Sequence, residues 1–235
     1  MEKLYMYCIS DKPIDEDVLG MDKAKVLVFK FKDLNMIYSV IDKELKYSEN
    51  NFMTHEAVLD NLLEDNATIL PFRFGTCMDL KTAKTMLGEK YKLLKRVIGN
   101  LTGKVEVGVR VMWDYETIRG NLISSMTIQE LESKSEKVAS YLNQKMKEYK
   151  IEEGIKSLAE KESEVIHKQL LACASAGKLT LLKTDNMFFN GVYLVKREDL
   201  SDFNLAYKKA ADENSIYKFI LTGPWPPYNF CNLTI

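Results

Sequence analysis

Only two histidines occur in the 235 residues, His55 and His167, and they set the first limit on the chemistry the chain can carry. His55-Glu56 opens like the zinc-protease motif, in which two imidazoles four residues apart on one helix face hold the metal and the glutamate acts as base. The required second histidine is absent, since the position is Leu59. His167 falls in a charged helical stretch, where a solvated imidazole is expected. Cys8, Cys77, Cys173 and Cys231 stand far apart. No pair has a zinc or redox spacing, and they read as buried thiols acting as small hydrophobes. No glycine-rich phosphate loop, nucleophile elbow or kinase signature is present. Carboxylates are abundant but fall on helix faces that water would solvate. The chain therefore reads as a non-enzyme, with no catalytic residue, cofactor or metal expected.

Two segments stand out for binding rather than catalysis. In Leu70-Pro71-Phe72-Arg73-Phe74-Gly75-Thr76, Pro71 cannot donate to a strand ladder, which assigns the segment to a sheet edge or strand end. Phe72 and Phe74 then share one face and Arg73 takes the other. Either the aromatics are core and Arg73 pairs with a carboxylate, or the edge recruits another chain by strand addition. In Gly223-Pro224-Trp225-Pro226-Pro227-Tyr228-Asn229-Phe230, three prolines remove amide donors and fix φ, so a helix or central strand cannot continue. An extended, polyproline-like tail is expected, displaying Trp225, Tyr228 and Phe230. These aromatics either fold back on the chain's own second domain or dock a partner, where Trp and Tyr are favoured. The candidate partner-binding residues are Phe72, Arg73, Phe74, Trp225, Tyr228 and Phe230.

The elements that would position these segments follow from pattern. Leu4–Ile9 reads as a buried strand, and 24–31 with 36–40 as a hairpin turning at Asp33 and Asn35. A helix is expected over Asn51–Glu64, capped by Thr54. A short strand, Ala67–Leu70, precedes a second helix from Asp79, its cap, to about Leu101, closed by Gly103. Val105, Val107, Val109 and Val111 alternate, the mark of a half-buried strand. From Gln129 to Ala176 runs a long amphipathic helix with Leu131, Val138, Leu142, Met146 and Tyr149 among its apolar positions, broken or not near Gly154. Unbroken, roughly 45 residues would reach roughly 65 Å. Strands at 178–184 and 187–196, a helix at 200–212 and a last strand at 216–221 complete the βαββαβ order of a ferredoxin-like domain. The expected fold is α+β, with two ferredoxin-like domains at 1–102 and 103–235, a long helix in the second, and the tail at 223–235.

Composition narrows the partners. Hydrophobic residues at 46% and charged residues at 29% suit a globular chain. No apolar run approaches the ~18 residues of a membrane helix, so no membrane partner is expected. The N-terminus lacks the zones of a signal peptide, and a cytoplasmic location is expected. With 33 basic and 34 acidic residues, no basic face is on offer to neutralise phosphates, which argues against nucleic acid.

Three stretches together resemble the gas vesicle accessory proteins of the GvpL/GvpF family. They are His55-Glu56-Ala57-Val58-Leu59 with Leu70–Thr76, then Gly103-Lys104-Val105-Glu106-Val107-Gly108-Val109, and last the Gly223–Phe230 run. The resemblance covers nearly the whole chain, the 129–176 helical region being without a distinctive motif. It implies two α+β domains, no cofactor, and a part in forming gas vesicles, with the hydrophobic shell protein GvpA and other accessory proteins as partners. Two other readings stay open, a minor component of the vesicle shell and a two-domain regulator that senses a small ligand.

Overall fold

The computed structural model of the protein describes residues 3–15, 17–42, 45–125, 137–180 and 184–231. It is an α+β chain on two sheets, as the sequence leads one to expect, and contacts divide it into two units. The first comprises Met1–Val107, Leu194–Arg197 and Gly223–Ile235, the second Gly108–Tyr193 and Glu198–Thr222.

In the first unit the central strand is β1 (Lys3–Ser10), buried from Leu4 onward. It pairs antiparallel with β3 (Leu34–Ile41), which pairs with β2 (Leu27–Phe31). The loop between β2 and β3 is Lys32-Asp33, since Phe31 faces Leu34, and Lys32 supplies the positive φ. The loop thus ends two residues before Asn35, which is buried in β3 and donates to the Ser10 carbonyl. On its other side β1 takes β4 (Ile69–Pro71) and β5 (Cys77–Met78). Pro71 lies on β4, at the edge of the order β2-β3-β1-β4, where a missing amide costs no ladder bond.

The helices close the sheet for ordinary reasons. Helix α1 (Glu49–Glu64) starts at Ser48, whose hydroxyl accepts from Asn51 N. Thr54, expected as the cap, lies one turn inside and donates to Asn50 O. Val58, Leu59, Leu62 and Leu63 bury one stripe against Tyr5, Tyr7, Cys8 and Ile37. Helix α2 (Leu80–Leu101) is capped by Asp79, as expected, and buries Ala83, Met86, Leu87, Leu94, Ile98 and Leu101 at helical spacing.

The second sheet has the order β7 (Ala176–Leu179), β8 (Met187–Lys196), β6 (Lys104–Met112) and β9 (Lys218–Trp225), and most of its residues belong to the second unit. Val105, Val107, Val109 and Val111 are buried along β6. A helix not expected from the sequence, α3 (Tyr115–Ser125), follows it. Leu122 of α3 sits over Gly154 of α4 (Lys137–Leu171), an approach that leaves α4 continuous through the glycine. Trp113 stacks on Phe188 with centroids 4.5 Å apart and packs with Ile151 and Ile155 of α4. The start of the expected long helix at Gln129, with Leu131, lies outside the described residues, as do the side chains of Val138 and Leu142. Met146 and Tyr149 are exposed, and among the described side chains of α4 the first buried one is Ile151. His167 is not solvated as expected. It is half-buried, with Nδ1 2.9 Å from the Tyr193 hydroxyl. Helix α5 (Leu200–Glu213) buries Phe203 and Ala210.

Candidate partner-binding surface

The C-terminal aromatic run is held residue by residue within the first unit. Strand β9 passes through Pro224 to Trp225, further than the sequence suggests, because it is an edge strand that needs no amide there. Gly223 adopts φ +106, and a Cβ on it would lie 2.8 Å from the Glu106 carbonyl oxygen, so only glycine fits. Pro226 and Pro227 are buried. The chain then turns rather than extending, with Tyr228 N donating to Pro226 O and Phe230 N to Pro227 O. Asn229 is clamped by the buried Glu106, its backbone N donating to Oε2 at 2.8 Å and its Nδ2 to Oε1 at 2.6 Å. Tyr228 packs against the core cluster of β1 and α1, and its hydroxyl donates to Glu56 Oε1 at 3.0 Å. Burial pushes the Glu56 carboxyl up, partly offset by that hydrogen bond, and pushes the Tyr228 hydroxyl up as well.

The 70–76 segment leads from core to surface. Phe72 is buried, and its amide donates to Tyr7 O. Arg73 is exposed and forms no ion pair among the described residues. Phe74 is half-buried, with its ring 6.3 Å from Tyr5 and 5.9 Å from His55 on the inner side. On the outer side it meets Tyr47 at 5.6 Å and Phe52 at 5.8 Å. Gly75, at φ +87, is the turn that permits this, and a Cβ there would meet the Tyr47 hydroxyl at 2.9 Å. Tyr47, Phe52 and Met53 are 81%, 48% and 60% exposed. Two exposed aromatic rings, Tyr47 and Phe52, thus flank one anchored phenylalanine, with Met53 exposed on the next helix position.

His55 lies beneath this patch. It is fully buried, its Nδ1 is 2.8 Å from the Tyr5 hydroxyl, and it stacks on Tyr7. Burial holds its imidazole down at about 4, so it is neutral at neutral pH. Among the described residues no group of three His, Cys, Asp or Glu side chains is placed to hold a metal ion, and no helix is long and apolar enough to cross a membrane.

The six candidate residues thus occupy different situations. Arg73 and Trp225 are exposed, Phe74, Tyr228 and Phe230 are half-buried, and Phe72 is buried. Two further features escaped the sequence reading. Tyr47, Phe52 and Met53 lie at the entry and first turns of α1, where a polar context hides them. Glu56, Asp60 and Glu64 recur every four residues along α1, one acidic stripe. That spacing was visible in the sequence. The tail answers it, with Tyr228 on Glu56 and Trp225 lining a cleft beside Asp60 and Glu64.

Comparison with known proteins bears on the chain as a whole. The family model described as "Gas vesicle synthesis protein GvpL/GvpF" matches residues 3–232. The chain is 26% identical to gas vesicle protein F1 of Halobacterium salinarum, across 100% of this chain and 95% of that one. It is 29% identical to gas vesicle protein F of a Nostoc species, across 86% of each. It is also 23% identical to gas vesicle protein L1 of Halobacterium salinarum, over 96% of this chain and 89% of the relative. In fold it is similar to the crystal structure of GvpF from an Anabaena species, with a TM-score of 0.87, 22% identity and both chains covered in full.

Proposed function

Since the chain belongs to the GvpL/GvpF family of gas vesicle synthesis proteins, we propose that it acts in gas vesicle formation as a non-catalytic assembly factor in the cytoplasm and at the growing vesicle. In this reading it binds the hydrophobic shell protein GvpA, together with other accessory proteins, while the shell is built. A shell subunit that will face gas exposes apolar surface before it is incorporated, and such surface aggregates in water. A protein that covers it reversibly delays misassembly.

The observation that carries the reading is the exposed aromatic pair Tyr47 and Phe52 packed on Phe74, with exposed Met53 next to Phe52 in α1. Aromatic and methionine side chains in solvent lose little on docking and gain much by burial, because they are rigid or adaptable and largely apolar. Arg73 and Trp225 extend the contact with exposed side chains, while Phe72, Tyr228 and Phe230 hold the backbone that presents them. The strand order β7-β8-β6-β9, with α4 and α5 at the helical positions, supports reading the part from residue 103 onward as a ferredoxin-like domain.

Co-expression tests this. The chain is expected to co-purify with GvpA and to keep it soluble. Failure to co-purify, or undisturbed vesicle formation in cells lacking the protein, would overturn the reading.

A further inference from the structure

The near balance of 33 basic and 34 acidic residues hides a segregated surface. Helix α2 alone holds Lys81, Lys84, Lys90, Lys92, Lys95 and Arg96 against a single acid, Glu89. The whole chain has net charge −1, so the rest of it is net acidic. At 3.6 residues per turn, Lys81, Lys84, Lys92, Lys95 and Arg96 fall within an arc of roughly 120°. That arc lies opposite the buried stripe of Ala83, Met86, Leu87, Leu94 and Ile98, and all five cations are exposed. Overall composition argued against a basic face; the structure corrects this, because the positive charge is gathered on one side of one helix.

The carboxylates in or against α2 pair with only one of these cations. Asp79, the cap, accepts from the backbone N and the hydroxyl of Thr82. Asp33 accepts from Tyr91 and from Lys95. Glu89 stands on the flank of the arc, three residues before Lys92. Among the described residues, Lys81, Lys84, Lys92 and Arg96 form no ion pair with it or with any other acid. Lys92 and Arg96 are four residues apart, where like charges repel. Lys81 stands in a first turn that contains no acidic residue, at the end where the helix dipole disfavours a cation. Lys32 brings a further cation to the edge of this face, 4.0 Å over the Tyr91 ring.

We infer that this face docks an acidic helix of a partner protein, with carboxylates at the spacing of Lys81, Lys84, Lys92 and Arg96. These four cations occupy about 22 Å of helix length. A helix laid alongside presents Asp or Glu at the same intervals, as charged positions do between paired helices. Two other anionic partners fit the face less well. Its remaining residues are Thr85, Gly88 and Gly99, so no apolar side chain is there to enter a lipid surface. The neighbouring rings of Phe29, Phe31 and Tyr91 already carry lysine ammonium groups, at 5.1, 5.5 and 4.0 Å, rather than offering a platform for bases. The net-acidic remainder of the chain also repels a long polyanion. The inference goes beyond the proposed function and does not rest on it, since the face shares no residue with the Tyr47–Phe52–Phe74 surface and asks for carboxylates instead of apolar groups.

The test uses the full chain and a fluorescent, alanine-rich helical peptide whose glutamates repeat the 81, 84, 92, 96 spacing. Saturable binding is expected at low salt, with loss near 1 M salt, where charges are screened beyond about 3 Å. A peptide with glutamine at the same positions should not bind. Lys81→Gln/Lys84→Gln/Lys92→Gln/Arg96→Gln should weaken binding roughly tenfold or more. All four side chains are exposed, so the variant is expected to keep its melting temperature; the single change Lys92→Glu repeats the test with less disturbance. Equal binding of the glutamate and glutamine peptides, or undiminished binding by both folded variants, overturns the inference. Equal binding of a peptide with its glutamates in one contiguous block overturns the helical match. Tighter binding of a short DNA duplex, or of phosphatidylglycerol vesicles, overturns the choice of a protein partner.

Discussion

The hydroxyl of Tyr228 donates to the carboxylate of Glu56 at 3.0 Å, across 172 positions of sequence. This single bond fastens the Pro-aromatic run to the helix that carries the acidic stripe. Removing the hydroxyl leaves a half-buried carboxylate without its donor, and hydrogen bonds to charged groups are worth about 1.5–3 kcal/mol. Tyr228→Phe is expected to lower stability by about that amount in urea unfolding at neutral pH. Faster amide exchange at 228–231 should accompany it, with exchange in α2 unchanged.

His55 gives the first unit a pH dependence. Its imidazole is held at about 4, against 6.5 when unperturbed, so between those values the unfolded chain binds a proton that the folded chain refuses. The stabilisation is complete above pH 6.5 and shrinks by about 1.4 kcal/mol per pH unit down to about pH 4. Urea titrations at pH 7, 5.5 and 4.5 should show that slope. His55→Gln should be less stable at pH 7 and flatter below pH 6.5.

Gly223 is the tightest backbone position in the tail. An alanine there must take φ +106 and press its Cβ to 2.8 Å from Glu106 O. Gly223→Ala is expected to destabilise by more than about 1 kcal/mol and to loosen the Asn229 clamp, read by thermal unfolding and by exchange at Asn229.

Gly88 and Gly99 make the opposite case. Both are inside α2, with nothing within 4 Å of where a Cβ would stand. Each change to alanine should add up to about 1 kcal/mol, the helix-interior difference between the two residues. A raised melting temperature with unchanged partner capture would verify it.

The exposed patch should matter for partners and not for folding. Tyr47→Ser/Phe52→Ser/Met53→Ser is expected to keep its melting temperature within a few degrees, since none of the three is buried. Co-purification with GvpA should drop strongly. Wild-type levels of capture would assign these side chains no role.

Much of this was legible beforehand because periodicity and caps are local. The valine alternation of β6, the Asp79 cap and the apolar stripe of α2 each follow from a few neighbouring residues. The Ser48 cap was harder, because Glu49, Asn50 and Asn51 give the first turn no apolar signal and Thr54 competes for the role. Helix α3 escaped because it buries no residue completely and follows directly on a strong strand. His167 was misread because its partner, Tyr193, stands 26 residues away on a strand. Glu56, Asp60 and Glu64 were readable as a stripe, but their meaning depends on Trp225 and Tyr228, which only tertiary folding brings to α1.

The Asn229–Glu106 clamp has a consequence for the order of synthesis. The residues that finish the first unit leave the ribosome long after β1, α1 and α2. Until then Glu106 lacks the partner it will bury, and the core beside Tyr5 and Tyr7 lacks the Tyr228 ring. A nascent chain can shape its N-terminal sheet early, but it cannot display the complete surface before translation has passed residue 229. Completion of that surface is thereby tied to synthesis beyond residue 229.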